Sequence, residues 1–451
     1  MQTEKITVEK VVSGGLGLAR LQDGMVVMLP YVLPSEEVAA QIIKRKKKYV
    51  EAAPLDIMSS SDRRIPPPCP HFGVCGGCNL QHADYGYQLE LKDAIIREQL
   101  VGAKVVDDSD IEDIIKKPVP SPEEFGYRQR IRLQVDEAGG YGFFRSRSHE
   151  VERVETCPLA RPEINRFLEM VPDSQAMNHL LELAEELEVM ASPGDQTLIL
   201  IVHLRRKPRP ADVTAAHSVA DEFEQVKAVY LGAKGTQTQG PYCGLHGGGS
   251  DEGRTLLLVM PFPSIERHGL SSYDLCQEAG GFSQVNLEQN NNLIATMLDW
   301  VDDLSATRGL DLFCGMGNFT IPLAAKMKEV VGLDLQRAAI RSGDRNAEAA
   351  GIENCSFRQQ SAVDAIKEIA AEGEKFDLVL LDPPRRGCRE VIPHLAELGS
   401  PAVIYVSCDP ATLARDISDM KALGYELKKV LPFDMFPQTH HLETMALLIR
   451  P

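Results

Sequence analysis

The chain has 451 residues, too many for one ordinary hydrophobic core, so two or three domains are expected. Its 43% hydrophobic and 25% charged content is that of a water-soluble globular protein, and its longest apolar runs fall well short of a membrane span. A net charge of −17 argues by its sum against a nucleic-acid partner, but where the basic residues lie matters more than the sum.

The first residues, Met1 to Lys5, lack an apolar signal core, which predicts a cytoplasmic location. Ten cysteines in that compartment point to metal binding or catalysis more than to disulfides. Up to about residue 57 the chain has short β-rich runs: Ile6-Thr7-Val8, Met25 to Leu29 and Val38 to Tyr49. Glycine-bearing turns at Ser13-Gly14-Gly15 and Asp23-Gly24 separate the first of them. A five-stranded barrel of OB type is expected, and such barrels often bind oligonucleotides. Ser59 to Ser61 and Pro66 to Pro68 then form a polar, stiff connection.

Next comes a thiol cluster, Cys69-x5-Cys75-x2-Cys78, interleaved with Gly73, Gly76 and Gly77, with Cys157-Pro158 much later. Four cysteines suffice for a tetrahedral zinc or for an iron–sulfur cluster, and their spacing alone does not separate the two. From here to about residue 280 the pattern is mixed. Tyr85 to Leu100 reads as a helix and Arg128 to Val135 as a strand. Asn178 to Val189 reads as a helix with Leu180, Leu181, Leu183 and Leu187 on it. Basic residues cluster at Lys44 to Lys48, at Arg128, Arg130 and Arg132, at Arg145 and Arg147, and at Arg205-Arg206-Lys207 with Arg209. All precede residue 210, and alternation puts Arg128, Arg130 and Arg132 on one strand face, which predicts a track for RNA or DNA.

From Gln284 onward apolar strand-like runs alternate with helical segments: Gly309 to Phe313, Val330 to Leu333, Leu378 to Leu381 and Val403 to Val406. That alternation predicts an α/β, mostly parallel, doubly wound sheet. Three runs end in polar chemistry: Asp311 to Asn318, Leu381-Asp382-Pro383-Pro384-Arg385, and Ser407-Cys408-Asp409-Pro410. In an open α/β sheet such ends border the ligand crevice. Gly315 and Gly317 let backbone approach a ligand before the helix-like Phe319 to Lys326. The loop lacks both the third glycine of a dinucleotide fingerprint and the Lys-Ser/Thr of a phosphate loop. Asp334 ends the next strand, where a carboxylate can accept both ribose hydroxyls, so the set fits S-adenosylmethionine (SAM) better than a nicotinamide.

Asp-Pro-Pro occurs in methyltransferases that act on exocyclic amines, usually with an aromatic next, whereas Arg385 follows here. An amine needs no thiol to help it. C5 of a pyrimidine does, because it is barely nucleophilic until something adds to C6. The thiolate of Cys408 is the candidate nucleophile. Glu443, in Thr439 to Thr444, is the candidate base for the C5 proton. Of the other thiols, Cys314 is expected to pack inside its loop and Cys388 to sit in an exposed turn.

These residues resemble the RNA (uracil-5-)-methyltransferases, most of all the RumA-type bacterial 23S rRNA enzymes. The matching motifs are Phe282-Ser283-Gln284-Val285-Asn286, Asp311 to Phe319, Leu381 to Arg385, Ser407 to Pro410 and His441-Leu442-Glu443. The likeness runs through the whole chain. It implies a TRAM domain of OB type over 1–58, a central α+β iron–sulfur domain over 59–282, and a class I SAM-dependent methyltransferase domain over 283–451. Part of 84–117 is then expected to pack with the catalytic domain. Matched by position, Gln284, Phe313, Gly315, Asn318, Asp334 and Asp382 would contact SAM, with Ser361 near the adenine, Cys408 as nucleophile and Glu443 as base. The run Cys69 to Cys78 resembles the family's [4Fe-4S] site, with Cys157 as fourth ligand. Asp334 stands where the family often has Glu, and Ser361 where it tends to have Asn.

The implied reaction is methyl transfer to C5 of a uridine in RNA, with 23S rRNA favoured by the TRAM-like module. A monomer without membrane attachment is expected. A tRNA uracil-5-methyltransferase and a non-catalytic iron–sulfur RNA-binding protein stay open. A DNA cytosine-5 methyltransferase would place its nucleophile in a Pro-Cys pair, absent around Cys408.

Overall fold

A computed structural model describes residues 3–236, 238–244 and 257–451. At the N-terminus β1 (Thr3–Val12), β2 (Leu16–Arg20), β3 (Val26–Pro30), β4 (Glu37–Arg45) and β5 (Tyr49–Ser59) close into a barrel in the order β1-β2-β3-β5-β4. Alternate residues such as Ile6, Val8, Val27, Leu29, Val38 and Ala40 fill it. Gly14 and Gly15 turn β1 into β2 with φ of +91° and +69°, a region open to glycine. Arg64 then fixes the following linker to the barrel by pairing with the buried Glu36 at 2.5 and 2.7 Å.

The middle of the chain forms a seven-stranded sheet that includes Arg130–Val135, Ala184–Ser192, Thr197–Leu204 and Val226–Ala233. Helices Pro162–Met170, Gln175–Leu183 and Pro210–Glu222 contribute Phe167, Leu180, Leu181 and Val219 to its core. The helix expected over Asn178 to Val189 is corrected here, since helix gives way to strand at Ala184. Leu187 and Val189 face the same core as Leu180 and Leu181, so an apolar face continues through a change of period.

The C-terminal sheet has the order Cys355–Gln359, Glu329–Asp334, Arg308–Asp311, Leu378–Leu381, Ala402–Ser407, Glu443–Ile449, Glu426–Phe433. The first five strands are parallel and the last two run antiparallel to their neighbours. Separate apolar cores cover its two faces, as parallel sheets require. Helix α1 (Tyr85–Gly102) lies against the helix Pro410–Ala422, and its Ile96 and Leu100 belong to the same core as Leu413 and Ile417. Beyond α1 the chain follows the sheet edge, where Lys116 N–H donates to Val430 O at 3.0 Å and Val119 N–H to Pro432 O at 2.8 Å. No helix among the described residues is long and apolar enough to cross a membrane.

Candidate active site and four-cysteine cavity

The strand Ala402–Ser407 ends at Cys408, and Asp409 caps the next helix by accepting the Thr412 N–H at 2.8 Å. Pro410 at the first helical position adds to the sharp strand-to-helix turn. Ser407 pairs with Thr444 on the neighbouring antiparallel strand, so Cys408 and Glu443 stand at facing strand ends. Arg385, delivered by the end of Leu378–Leu381, lines the same cavity as the thiol. A cavity of about 100 Å³ opens at Cys408, walled by Lys92 of α1, Arg385, His440, His441 and Ser13 of the barrel turn.

Burial, followed by the charge of Glu443, pushes the Cys408 thiol up to about 11, while Arg385 pulls it down. Burial and Asp382 raise the Glu443 carboxyl well above its ordinary value. Asp382 is itself raised to about 7 by burial and by Asp311, and Asp311 to about 7 chiefly by burial. Three carboxyl groups therefore hold protons more tightly than water-exposed acids do. His440 is lowered to about 4 and His441 to about 3, mainly by burial and then by neighbouring Lys92 or His440 and Arg385, so both rings are neutral. Arg385 lies 3.2 Å from a ring nitrogen of His441, which orients the guanidinium beside the thiol.

The glycine loop lies over the first strand ends. Gly315 N–H donates to Asp334 at 3.1 Å and Gln336 N–H donates to its other oxygen at 2.7 Å, so this carboxylate holds the loop. Asn318 and Asn290 exchange amide hydrogen bonds at 2.8 and 3.0 Å. Phe313 is half-buried beside the loop and Gln284 is buried on the segment before helix Leu287–Asp302. Ser361 accepts the Asp364 N–H and donates its proton to the Asp364 carboxylate at 2.6 Å, which makes it a helix cap here.

Cys69, Cys75, Cys78 and Cys157 line one cavity of about 340 Å³. Gly77 N–H points at the Cys75 sulfur from 3.4 Å. Sulfurs around one zinc at 2.3 Å would stand roughly 3.8 Å apart. Among the described residues, however, the group of three or more metal-ligating side chains whose ligand atoms all lie within 4.8 Å is Glu186, Glu188 and His203, not the cysteines. The four thiols share that cavity with Phe72, Arg128, Phe143, Val154 and Val285 among other residues.

Two expectations change. The arginine face expected as a nucleic-acid track is neutralised at two of its three members, Arg130 pairing with Glu188 and Arg132 with Glu186 at 3.3 Å and Glu188 at 3.2 Å, while Arg128 lines the four-cysteine cavity; in the later cluster Arg206 pairs with Asp212 at 2.6 Å. A carboxylate ladder on the adjacent strand lies opposite the basic one. The cluster at Lys44, Arg45, Lys47 and Lys48 stays exposed at the β4–β5 tip. There Lys46 pairs with Glu51 at 3.3 Å and holds its carboxyl below the ordinary value. Cys388 is buried, not in an exposed turn, and its N–H donates to Asp416 at 3.0 Å.

Sequence reasoning gave no role to Lys92, Ser13, His440 or Asn79. Asn79 accepts the His440 N–H at 2.8 Å, donates to its ring at 2.7 Å, and donates to Gly14 O at 3.2 Å. No local signal joins these positions; only the fold does.

The model of the tRNA (uracil-5-)-methyltransferase family matches residues 272–451, and that of the TRAM domain matches residues 1–55. The 23S rRNA (uracil(1939)-C(5))-methyltransferase RlmD of Yersinia enterocolitica is 34% identical over all of this chain and 96% of its own length. The RlmD of Pseudomonas aeruginosa is 33% identical over 98% of this chain and 93% of that protein. The crystal structure of the Pyrococcus abyssi tRNA (uracil-54, C5)-methyltransferase in complex with S-adenosyl-L-homocysteine superposes with a TM-score of 0.71, covering 99% of this chain and 100% of that one at 23% identity. The barrel is thus a TRAM domain and the C-terminal sheet a SAM-methyltransferase fold, and the chain belongs to the RNA uracil-C5-methyltransferase family.

Proposed function

We propose that this protein transfers the methyl group of SAM to C5 of a uridine in 23S rRNA through a covalent adduct on Cys408. The observation that carries the reading is Cys408 facing Glu443 across paired strands, with Arg385 against the thiol. The Cys408 thiolate adds to C6 of the uracil, and the electron pair moves to C5 and O4 as an enolate. C5 then attacks the methyl carbon of SAM, forming C–CH₃ and breaking S⁺–CH₃, which leaves S-adenosylhomocysteine. Glu443 takes the C5 proton, the C5=C6 bond reforms, and Cys408 leaves as thiolate.

The raised proton affinity of Glu443 makes it a stronger base once ionised. The sulfonium of SAM supplies a positive charge that favours the ionised form of these buried carboxyls. Gln284, Phe313, Gly315, Asn318, Asp334 and Asp382 are assigned to SAM, with Asp334 also holding the loop. Ser361 is assigned only a place beside the adenine.

The four-cysteine cavity suits a [4Fe-4S] cluster held by Cys69, Cys75, Cys78 and Cys157, because all four thiols line it and no three of their sulfurs lie as close together as one zinc requires. Bound there, the cluster would tie the cysteine loop to the central domain, and methyl transfer asks no electrons of it. The domains then divide at about residues 58 and 282, with part of 84–117 packed into the catalytic unit, and the protein works as a cytoplasmic monomer on RNA.

The test is incubation of the anaerobically purified protein with methyl-labelled SAM and unmodified 23S rRNA, tRNA or DNA. Label in rRNA that is lost in Cys408→Ala, with a covalent RNA adduct accumulating in Glu443→Gln, supports the reading. Label in tRNA or DNA alone, or none, rejects it.

A further inference from the structure

Residues 279–286 link the strand Tyr273–Glu278 to the helix Leu287–Asp302 without regular secondary structure. A segment outside any ladder must find hydrogen-bond partners for its carbonyls elsewhere. Here they come from two consecutive residues of the central domain, Gln129 just before the strand Arg130–Val135 and Arg130 at its start. Gln129 N–H donates to Val285 O at 3.2 Å, and its side-chain amide donates to Gln284 O at 2.5 Å. The Arg130 guanidinium donates to Gly281 O at 2.8 Å.

This clamp is braced. Gln129 is 3% exposed, and Arg130 is itself paired to the buried Glu188 of the next strand. At the far end Asn286 caps the helix by accepting the Gln289 N–H at 3.2 Å and donates to Ser121 Oγ at 2.9 Å. Arg130 and Val285 also help wall the four-cysteine cavity, so the clamp stands between that cavity and Gln284.

We infer that Gln129 and Arg130 are positioning residues that fix Gln284 for SAM, by holding the carbonyls of its otherwise unladdered segment. The inference rests on the assignment of Gln284 to SAM. Neither residue touches the cofactor; each acts through the backbone it holds.

The experiment compares the iron-loaded, full-length wild type with Gln129→Leu, Gln129→Met, Arg130→Gln, Arg130→Lys and Gln284→Ala. Three quantities are read: S-adenosylhomocysteine affinity by calorimetry, KM for SAM against kcat, and iron content. Gln129→Leu and Arg130→Gln are expected to weaken S-adenosylhomocysteine roughly five- to twentyfold, the loss of one or two buried hydrogen bonds. They should raise KM for SAM more than they lower kcat, with iron content unchanged, and Arg130→Lys should recover most of the affinity. Gln129→Met serves in place of Gln129→Leu should the latter not fold. Wild-type affinity in the clamp variants, with only a lower melting temperature, would make these contacts merely structural and overturn the inference. Affinity lost only together with iron overturns it too, by assigning the effect to the cysteine centre. A weak Gln284→Ala beside unaffected clamp variants sinks the clamp and leaves the SAM assignment standing. Unchanged affinity in Gln284→Ala removes that assignment and the clamp with it.

Discussion

Lys92 and Asp434 meet at 2.6 Å with both side chains fully buried, joining α1 to the chain just past the strand Glu426–Phe433. Lys92 also donates to Phe436 O at 3.2 Å, while Gln88, one turn earlier, donates to Gln438 at 3.0 Å. The segment leading to His440, His441 and Glu443 therefore hangs on one face of α1. Lys92→Met leaves the Asp434 carboxylate buried without its partner, and a loss of roughly 3–5 kcal/mol in urea unfolding is expected. Adding Asp434→Leu should recover a large part of that loss, and a single variant as stable as wild type would contradict the account.

Cys408 titrates high, and Arg385 is what lowers it. Thiolate is the reactive form, so alkylation of Cys408 by iodoacetamide should climb about tenfold per pH unit from pH 7 to 10 without a plateau. Arg385→Gln removes the lowering influence and should slow alkylation at every pH in that range. Peptide mass spectrometry distinguishes Cys408 from the other thiols, and a plateau by about pH 9.5 would show a thiol of ordinary acidity.

Asp334 spends both oxygens on backbone N–H groups of Gly315 and Gln336. Asp334→Ala should weaken S-adenosylhomocysteine roughly tenfold or more, because charge-assisted bonds that shape the glycine loop are lost along with the expected ribose contact. Calorimetry reads this directly. Asp334→Glu, which restores the carboxylate on a longer stem, should bind more tightly than Asp334→Ala.

The exposed cations at the β4–β5 tip should act on RNA through phosphates alone. Replacing Lys47 and Lys48 by Gln should flatten the dependence of log affinity on log salt by about one to two, with little change in which RNA is preferred. Substituting Arg132, already paired with Glu186 and Glu188, should change that slope far less.

Strand ends were legible in the sequence because a parallel strand buried on both faces is an apolar run that stops abruptly at polar residues. Asp311, Asp334, Asp382 and Cys408 all stand where such runs stop. The barrel was legible through its glycine turns. Pairing between distant strands was not: Arg130 and Arg132 look like a basic stripe until Glu188 arrives opposite Arg132, with Arg130 and Glu186 reached diagonally. The strand at Ala184 was hidden because its leucines continue the helical spacing that precedes it. Cys388 looked exposed because it follows a glycine turn, yet Asp416, 28 residues later, covers it. Gln129 carries no motif, since its partner is a backbone carbonyl 155 residues away.

The turn at Ser13 walls the cavity at Cys408, and Asn79 ties that turn to His440. On the proposed reaction at Cys408, a uridine would sit beside this barrel turn, so RNA binding and chemistry would share a doorway. Removing the barrel should then cost turnover even on a short RNA that needs no gripping. The N-terminal domain is in this sense part of the active site's architecture as well as its anchor.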